Sequence, residues 1–210
     1  MRARQALLVA LVALTSAGCG ADERAGLATG AGEPTVSIAG PQRAGERTVL
    51  VVGDSLAEGM AGALPAALPG WRVRIDALTG RALAEGMRIL AAEAAPPAVL
   101  AISLFTNDHP LNTRALRAAV RASATRPGGC SVWATIVAPP FEGVGYDAAN
   151  SLLRWLARDQ DLDLELVDWA RAVARAPSLM SADEVHASPA GYRARALMYA
   201  EAIRGCAGER

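Results

Sequence analysis

The chain has 210 residues, of which 52% are hydrophobic, so it is long enough for one domain with a substantial core. Its 21 basic residues, all of them arginine, balance 21 acidic residues. Basic residues do not cluster along the chain, so the composition gives no support to nucleic-acid binding.

The N-terminus has the pattern of an export signal. Arg2 and Arg4 precede an apolar stretch over residues 6–17, which is too short to cross a bilayer comfortably. The stretch ends in Ser-Ala-Gly-Cys at 16–19, which resembles the lipobox of bacterial lipoproteins. We therefore expect residues 1–18 to be a lipoprotein signal peptide and Cys19 to carry a lipid that anchors the exported protein to the cell envelope. Ordinary secretion, with cleavage near residue 18 or 20, is the alternative.

The next segment, residues 19–47, is rich in Gly, Ala, Pro and charged residues and has no apolar periodicity. This composition is typical of a flexible tether, within which Val-Ser-Ile at 36–38 could form an edge strand. We therefore assign the folded domain to residues 48–210.

Beyond the tether, short apolar runs alternate with Ala- and Leu-rich stretches. Strands are predicted over residues 49–52, 71–78, 98–105, 131–138 and 164–169. Helices are predicted over 56–68, 82–94, 112–124, 147–159 and from Pro189 to about Arg204. Such alternation predicts an α/β fold, a three-layer α/β/α sandwich around a five-stranded parallel sheet. Its core is expected to include Trp71, Trp133, Trp155 and Trp169.

Two cysteines remain if Cys19 is lipidated. Cys130 precedes the fourth predicted strand, and the last helix runs back towards the same edge of the sheet with Cys206 near its end. In an oxidising compartment we expect the two to form a disulfide. Two unrelated buried thiols are the alternative.

Ligands of parallel α/β sheets bind at the carboxyl ends of the strands. Polar residues follow four of the predicted strands: Gly53-Asp54-Ser55, Thr79-Gly80, Asn107-Asp108-His109, and a later stretch with Asp183 and His186. One edge of the sheet is therefore predicted to gather the side chains that carry chemistry.

Ser55 is the candidate nucleophile, although a serine in a strand-to-helix turn is also typical of a helix cap. A serine hydroxyl needs a base to take its proton and a third group to orient that base. Asp183 stands three residues before His186, a spacing that lets the carboxylate orient the ring. His109 is the weaker candidate base, and Asp54 is expected to be a turn or helix-start residue.

Acyl transfer also needs hydrogen-bond donors for the oxyanion. The N–H groups of Ser55 and Gly80 and the side-chain amide of Asn107 are the candidates. Each of the last two also has a structural interpretation, Gly80 as a turn glycine and Asn107 as a helix cap.

The blocks Gly-Asp-Ser-Leu at 53–56, Gly80, Asn-Asp at 107–108 and Asp183-x-x-His186 together resemble the blocks of SGNH, or GDSL-type, hydrolases. The resemblance covers roughly residues 48–204. It implies that Ser55 is the nucleophile, His186 the base and Asp183 its orienting acid, with Ser55, Gly80 and Asn107 as oxyanion donors. It also implies esterase, lipase, thioesterase or carbohydrate deacetylase activity without a metal or cofactor.

One position departs from the family pattern. The third block usually reads Gly-x-Asn-Asp, and Phe105 stands at the glycine position. A ring there is expected to narrow the pocket or shift the backbone that carries Asn107. Phe105 is therefore a candidate substrate contact, together with Phe141 and Tyr146 in the loop after the fourth strand.

The sequence thus predicts an exported serine esterase that cleaves short acyl esters, such as acetyl esters on a carbohydrate. One alternative is a non-catalytic envelope lipoprotein that binds a glycan or partner in the same cleft, for which Phe105 is the only support. The other is a flavodoxin-like nucleotide or phosphate binder, but no Gly-rich phosphate-binding motif follows the first strand. Two histidines without paired cysteines do not suggest a zinc site.

Overall fold

The computed structural model of the protein describes residues 35–38 and 47–209. The predicted signal peptide, Cys19 and most of the predicted tether lie outside these residues. Within them, no helix combines the length and the apolar character that crossing a bilayer requires.

A six-stranded sheet forms the centre of the domain, in the spatial order β1-β3-β2-β4-β5-β6. The strands are β1 (Thr35–Ile38), β2 (Arg47–Gly53), β3 (Trp71–Ala77), β4 (Val99–Ser103), β5 (Cys130–Ala134) and β6 (Leu164–Val167). Strands β2 to β6 pair in parallel, which confirms the predicted five-stranded parallel sheet. The added strand β1 pairs antiparallel with β3 and contains the Val-Ser-Ile segment, so the sheet begins inside the stretch assigned to the tether.

The register of the central strands sets the position of the loops that follow them. Gly53, the last residue of β2, pairs with Ala77 on one side and with Ser103 on the other. These are also the last residues of β3 and β4. The three loops that carry Ser55, Gly80 and Asn107 therefore start side by side.

Helices cover both faces of the sheet. They are α1 (Ser55–Met60), α2 (Leu64–Ala67), α3 (Leu83–Ala92), α4 (Thr113–Ala124), α5 (Asp147–Leu156), α6 (Trp169–Arg175), a 3-10 helix (Pro177–Leu179) and α7 (Pro189–Cys206). Because side chains alternate along a strand, Val49 and Val51 pack in a core with α1, α2 and α7, whereas Leu50 and Val52 pack with α3, α4 and α5. These two cores produce the predicted three layers.

Several elements differ from their predicted limits. The helix predicted over 56–68 is two short helices, because Pro65 lies in the first turn of α2, where a proline starts a helix rather than continuing one. The last strand ends at Val167, since the side chain of Asp168 accepts the N–H of Arg171 and begins α6, which the sequence did not predict.

Three of the four tryptophans are buried as expected, and Trp155 is the exception. Its side chain is 50% exposed on α5, and the guanidinium carbon of Arg117 lies 5.1 Å from its ring centroid. The buried residues of α5 follow a helical spacing that leaves Trp155 on the outer face of the helix.

A disulfide joins Cys130, at the start of β5, to Cys206, in the last turn of α7. The sequence predicted this pairing from the direction of the last helix. The bond lies at the edge of the sheet opposite to the loops that follow the strands, so it fastens the C-terminal helix away from Ser55.

Candidate active site

Ser55 is the first residue of α1, directly after the end of β2. The turn needs a glycine before it, because a Cβ at Gly53 would lie 2.3 Å from the Cβ of Ala57 and 2.9 Å from the backbone oxygen of Ser103. The N–H of Asp54 donates to the same oxygen at 3.0 Å. Gly53 thus lets α1 begin close against β4, with Ser55 at the edge where the loops meet.

Asp54, the residue before the candidate nucleophile, is fully buried. Its Oδ1 accepts the N–H of Leu56 at 3.0 Å and caps α1, as expected of a helix-start residue. Its Oδ2 accepts a longer hydrogen bond, 3.4 Å, from Nδ2 of Asn107. Burial raises the pKa of Asp54 to about 6, although the hydrogen bond from Leu56 and the charge of Arg195 act in the opposite direction. One carboxyl group therefore joins the start of α1 to Asn107.

The Nε2 atom of His186 lies 3.0 Å from the Oγ of Ser55, and Nδ1 of the same ring lies 2.8 Å from Oδ2 of Asp183. When Nδ1–H donates to the carboxylate, Nε2 presents a lone pair to the hydroxyl and can accept its proton. The structure therefore brings together the three residues that the sequence assigned as nucleophile, base and orienting acid.

The histidine and its carboxylate belong to one closed segment, residues 180–187, which we call the acid–base loop. Met180 pairs with Ala187 in an antiparallel bridge at its base. Just outside that bridge, the N–H of Ser188 donates to the backbone oxygen of Leu179 at 2.8 Å. The Oγ of Ser188 then caps α7, so the loop leads straight into the long C-terminal helix.

Within this loop, the Asp183 carboxylate accepts several hydrogen bonds. Its Oδ1 accepts from the hydroxyl of Ser181 and from the N–H groups of Val185 and His186, at 2.7, 3.0 and 2.9 Å. The hydrogen bond with the His186 ring, followed by these three, holds the pKa of Asp183 well below its usual range. The carboxyl group is therefore ionised across the neutral pH range.

The candidate oxyanion donors lie just after strands β2, β3 and β4, whose last residues are side by side in the sheet. Ser55 opens α1, so its N–H is outside the intrahelical hydrogen bonds. Gly80 has a left-handed backbone (φ 77°), which a turn here requires and glycine adopts without steric cost. Nδ2 of Asn107 is oriented by Asp54 and, at 3.3 Å, by the backbone oxygen of Arg81.

Arg81 is a residue that the sequence did not single out. Its buried side chain donates through Nη1 to the backbone oxygens of Gly53 and Asp76, at 3.1 and 2.6 Å, and pairs through Nη2 with the Asp76 carboxylate at 2.7 Å. It thereby ties the end of β2 to the end of β3, next to Gly80. No sequence signal reveals this role, because only the folded chain turns the guanidinium back under the strand ends.

A second buried arginine lies behind the site. Nη2 of Arg195 donates to the hydroxyl of Ser103 at 3.1 Å, and its guanidinium carbon lies 5.2 and 5.3 Å from the ring centroids of Trp169 and Tyr199. Its charge favours the ionised form of Asp54. Arg195 therefore partly offsets the cost of burying that carboxylate.

Phe105 has a left-handed backbone conformation (φ 85°), the region that favours glycine. Its ring is fully buried in the core shared with α3, α4 and α5. The chain therefore adopts at this position a backbone that a glycine would adopt easily, and turns the ring inward. The predicted narrowing of the pocket by Phe105 is not observed, because the ring packs in the core.

Tyr146, the second predicted substrate contact, is also buried. Its hydroxyl oxygen lies 2.8 Å from the backbone oxygen of Thr106 and 3.1 Å from that of Asp108. Burial raises the pKa of this hydroxyl, which therefore stays protonated as a donor. Tyr146 fastens the loop after β5 to the loop that carries Asn107, a positioning role rather than contact with a substrate.

Phe141, the third predicted substrate contact, is 43% exposed. It neighbours His109, the weaker candidate base, whose ring meets it edge-on with 5.4 Å between centroids. Nδ1 of His109 accepts the N–H of Leu111 at 3.2 Å, and its Nε2 lies 3.8 Å from the Glu142 carboxylate. His109 thus belongs to a rim formed by the loops after β4 and β5, whereas Ser55 is paired with His186.

The arrangement suits acyl transfer through a serine, since a hydroxyl next to a base stands beside loops that present N–H donors. In the part of the chain that the structure describes, no group of three or more His, Cys, Asp or Glu side chains is placed to hold a metal ion.

No protein-family model matches the sequence, and no curated protein matches it. Solved structures do match. The C-terminal catalytic domain of a peptidoglycan O-acetyltransferase from Streptococcus pneumoniae aligns with a TM-score of 0.62 and 22% identity, over 77% of this chain and 93% of that one. A family 3 carbohydrate esterase from Clostridium thermocellum aligns with a TM-score of 0.60 and 18% identity, over 77% and 99%.

A candidate SGNH hydrolase from Slackia heliotrinireducens aligns with a TM-score of 0.56 and 25% identity, over 75% of this chain and 98% of that one. Similarities at this level of identity establish a shared fold. The protein therefore has the α/β fold of SGNH-type hydrolases and acyltransferases.

Proposed function

We propose that this protein, which shares its fold with SGNH hydrolases, is a serine esterase that cleaves short acyl esters through a covalent acyl-enzyme. The observation that carries the proposal is the hydrogen-bonded series from Ser55 Oγ to His186 Nε2 and from His186 Nδ1 to Asp183, at 3.0 and 2.8 Å. The distance from Ser55 Oγ to His186 Nε2 is within the range for proton transfer between a nucleophile and its base, and the distance from His186 Nδ1 to Asp183 suits a hydrogen bond that orients the base.

In the first half-reaction, the Oγ of Ser55 attacks the carbonyl carbon of the ester while Nε2 of His186 takes the hydroxyl proton. The carbonyl oxygen becomes an oxyanion, which the N–H groups of Ser55 and Gly80 and the amide of Asn107 are proposed to bind. The bond to the alcohol oxygen then breaks, and His186 returns its proton to that oxygen. An alcohol leaves, and the acyl group stays on Ser55.

In the second half-reaction, water takes the place of the alcohol. Nε2 of His186 removes a proton from the water as its oxygen attacks the acyl carbon. The same donors hold the second oxyanion, and the bond to Ser55 breaks as His186 protonates Oγ. The products are a carboxylic acid and the free enzyme.

The substrate class that we propose is a short acyl ester, such as an acetyl ester, on a carbohydrate. Two proteins that share this fold, a peptidoglycan O-acetyltransferase and a carbohydrate esterase, support that choice. The buried ring of Phe105 and the hydrogen bond from Asn107 to Asp54 support the catalytic proposal over the non-catalytic alternative.

We further propose that the protein is exported and lipid-anchored through Cys19, on the pattern of its first residues. Metabolic labelling of the expressing bacterium with an alkyne analogue of palmitate tests this. Label is expected on the wild-type chain and absent from Cys19→Ala. Equal label on both would exclude lipidation at this cysteine.

The catalytic proposal is tested with 4-nitrophenyl acetate and purified wild-type and Ser55→Ala proteins, after their circular dichroism spectra have been matched. We expect the variant to lose at least about 1000-fold in kcat. Rates that do not differ would overturn the esterase proposal. A series of 4-nitrophenyl esters from acetate to octanoate then measures acyl length, and activity confined to long chains would exclude the short-acyl assignment.

A further inference from the structure

The loop after β5 presents an exposed aromatic ring at the same edge as Ser55. Phe141 and Val144 exchange two backbone hydrogen bonds of 2.9 Å and so form a tight hairpin. The two residues between them, Glu142 and Gly143, have positive φ of 49° and 80°, as this type of two-residue turn requires. The two backbone hydrogen bonds hold Phe141 and Glu142 in place, although the left-handed backbone is sterically unfavourable for a glutamate.

The loop that contains this hairpin is hydrogen-bonded to the proposed oxyanion loop. The Tyr146 hydroxyl bonds to the backbone oxygens of Thr106 and Asp108, the two residues that flank Asn107. Only Gly145 separates the hairpin from Tyr146, so these bonds join the loop that carries Phe141 to the loop that carries Asn107.

Polar groups border the ring. His109 accepts a hydrogen bond at Nδ1, so the neutral ring carries its hydrogen on Nε2, which faces the Glu142 carboxylate at 3.8 Å. Glu142 is largely exposed, and His109 meets Phe141 edge-on. The platform thus combines one apolar ring with an N–H donor and a carboxylate acceptor.

We propose that this platform, residues Phe141, Glu142 and His109, binds a sugar ring of the alcohol part of the substrate. A pyranose has an apolar face of C–H groups that can lie on Phe141, and hydroxyls at its rim that can bond to Glu142 and His109. An acyl chain would use only the phenyl ring and would form no hydrogen bond with either polar group. This assignment rests on the proposed esterase function and adds the residues that bind the carbohydrate leaving group.

Binding to the inactive Ser55→Ala protein is measured first, by calorimetry with O-acetylated xylo-oligosaccharides and O-acetylated chito-oligosaccharides. Against that background, Phe141→Ala is expected to weaken binding by about tenfold, which corresponds to about 1.4 kcal/mol, and Phe141→Trp to preserve it. Trp155→Ala, which removes a 50% exposed ring from α5, is the matched control and should change nothing. No binding of any acetylated oligosaccharide, or equal losses in Phe141→Ala and Trp155→Ala, would overturn the platform.

Kinetics of the active enzyme separate this proposal from the catalytic one. Phe141→Ala should lower kcat/KM for the acetylated oligosaccharides by about tenfold, and it should lower kcat/KM for 4-nitrophenyl acetate, which carries no sugar, by clearly less. A selective loss on butyrate relative to acetate would assign Phe141 to the acyl side instead and overturn the proposal. Failure of the esterase function itself would appear differently, as wild-type and Ser55→Ala rates that coincide on every ester.

Discussion

The ring of Phe105 meets the ring of Tyr146 edge-on, with 6.4 Å between centroids and an interplanar angle of 82°. This contact explains how a bulky residue occupies a left-handed backbone position. The conformation costs roughly 1–2 kcal/mol for a residue with a Cβ, whereas complete burial of a phenylalanine side chain contributes about 1.5–3 kcal/mol. Burial of the Phe105 ring therefore contributes more than the left-handed backbone costs, and the loop that leads to Asn107 keeps its conformation.

Substitutions at Phe105 can separate these two contributions. Alanine removes the ring and keeps the strain, and we expect Phe105→Ala to lose about 3–5 kcal/mol of unfolding free energy. Glycine removes both, so Phe105→Gly should be about 1 kcal/mol more stable than the alanine variant. Urea unfolding followed by tryptophan fluorescence measures the difference. An alanine variant that equals or exceeds the glycine variant in stability would show that φ 85° carries no cost.

The carboxylate of Asp183 sets the tautomer of His186. In Asp183→Asn, we expect the amide oxygen to keep the local bonds at Oδ1, which leaves an NH₂ group against Nδ1 of the ring. His186 must then carry its hydrogen on Nε2 and cannot accept the proton of Ser55. We expect kcat to fall by roughly 100- to 10,000-fold in steady-state assays.

Ser181→Ala is the matched control for that substitution. It removes the hydroxyl that donates to Oδ1 but leaves the contact between Oδ2 and His186. Its kcat should stay within about tenfold of the wild-type value, because the N–H groups of Val185 and His186 still hold the carboxylate and the lost hydroxyl does not set the tautomer. Equal losses in the two variants would assign the effect to the shape of the acid–base loop rather than to the tautomer.

Buried Asp54 should make stability fall as pH rises through the acid range. Its pKa rises from 3.8 to about 6 on folding, so the folded chain binds the proton more tightly than the unfolded chain. The resulting stabilisation is complete below the unfolded pKa and is lost as pH passes the folded value. Relative to Asp54→Asn, wild-type unfolding free energy should fall by roughly 2–3 kcal/mol between about pH 4 and pH 7.

Asp168 provides a control of opposite sign. Its hydrogen bonds with Arg154 lower its pKa, so its contribution to stability is present at neutral pH and is lost as pH falls through the folded value. Urea unfolding of Asp168→Asn is therefore extended from about pH 6 down to about pH 2, where wild type should gain stability with rising pH relative to the variant. A pH dependence of the same sign for both variants would contradict the burial argument for Asp54.

The disulfide should matter for stability and little for catalysis. Cys130 and Cys206 are 76 residues apart, and closing a loop of that length stabilises the folded state by about 3–5 kcal/mol through the unfolded chain. The double variant Cys130→Ser/Cys206→Ser is expected to unfold at lower urea concentration but to keep its kcat while folded. A loss of kcat without a loss of stability would mean that the bond influences the site across the sheet.

The sequence was sufficient where a local pattern decides the structure. Runs such as residues 49–52 predict buried parallel strands, and the blocks with Ser55, Gly80 and Asn107 are recognisable because each follows one of these strands. The pairing of Ser55 with His186 could be expected from Asp183 alone, since a nearby carboxylate distinguishes His186 from His109.

Long-range packing decided the rest. The conformation of Phe105 depends on Tyr146 from another loop, and Arg81 acts through Gly53 and Asp76, which it reaches only after folding. Trp155 is exposed because α5 presents it outward. The relationships of Phe105 and Arg81 leave no periodic or local pattern in the sequence, whereas the outward position of Trp155 follows from the helical spacing of α5.

The acid–base loop holds His186 and Asp183 together as one unit. The spacing between His186 and Asp183 is fixed locally, whereas the distance to Ser55 depends on how α7 docks, through bonds such as that from the Tyr199 hydroxyl to the backbone oxygen of Ile102 at 2.9 Å. The position of α7 therefore sets the position of base and acid together, and Arg195 on the same helix also donates to Ser103 at the end of β4. One helix thus couples the proton-transfer pair to the strand ends that carry the proposed oxyanion donors.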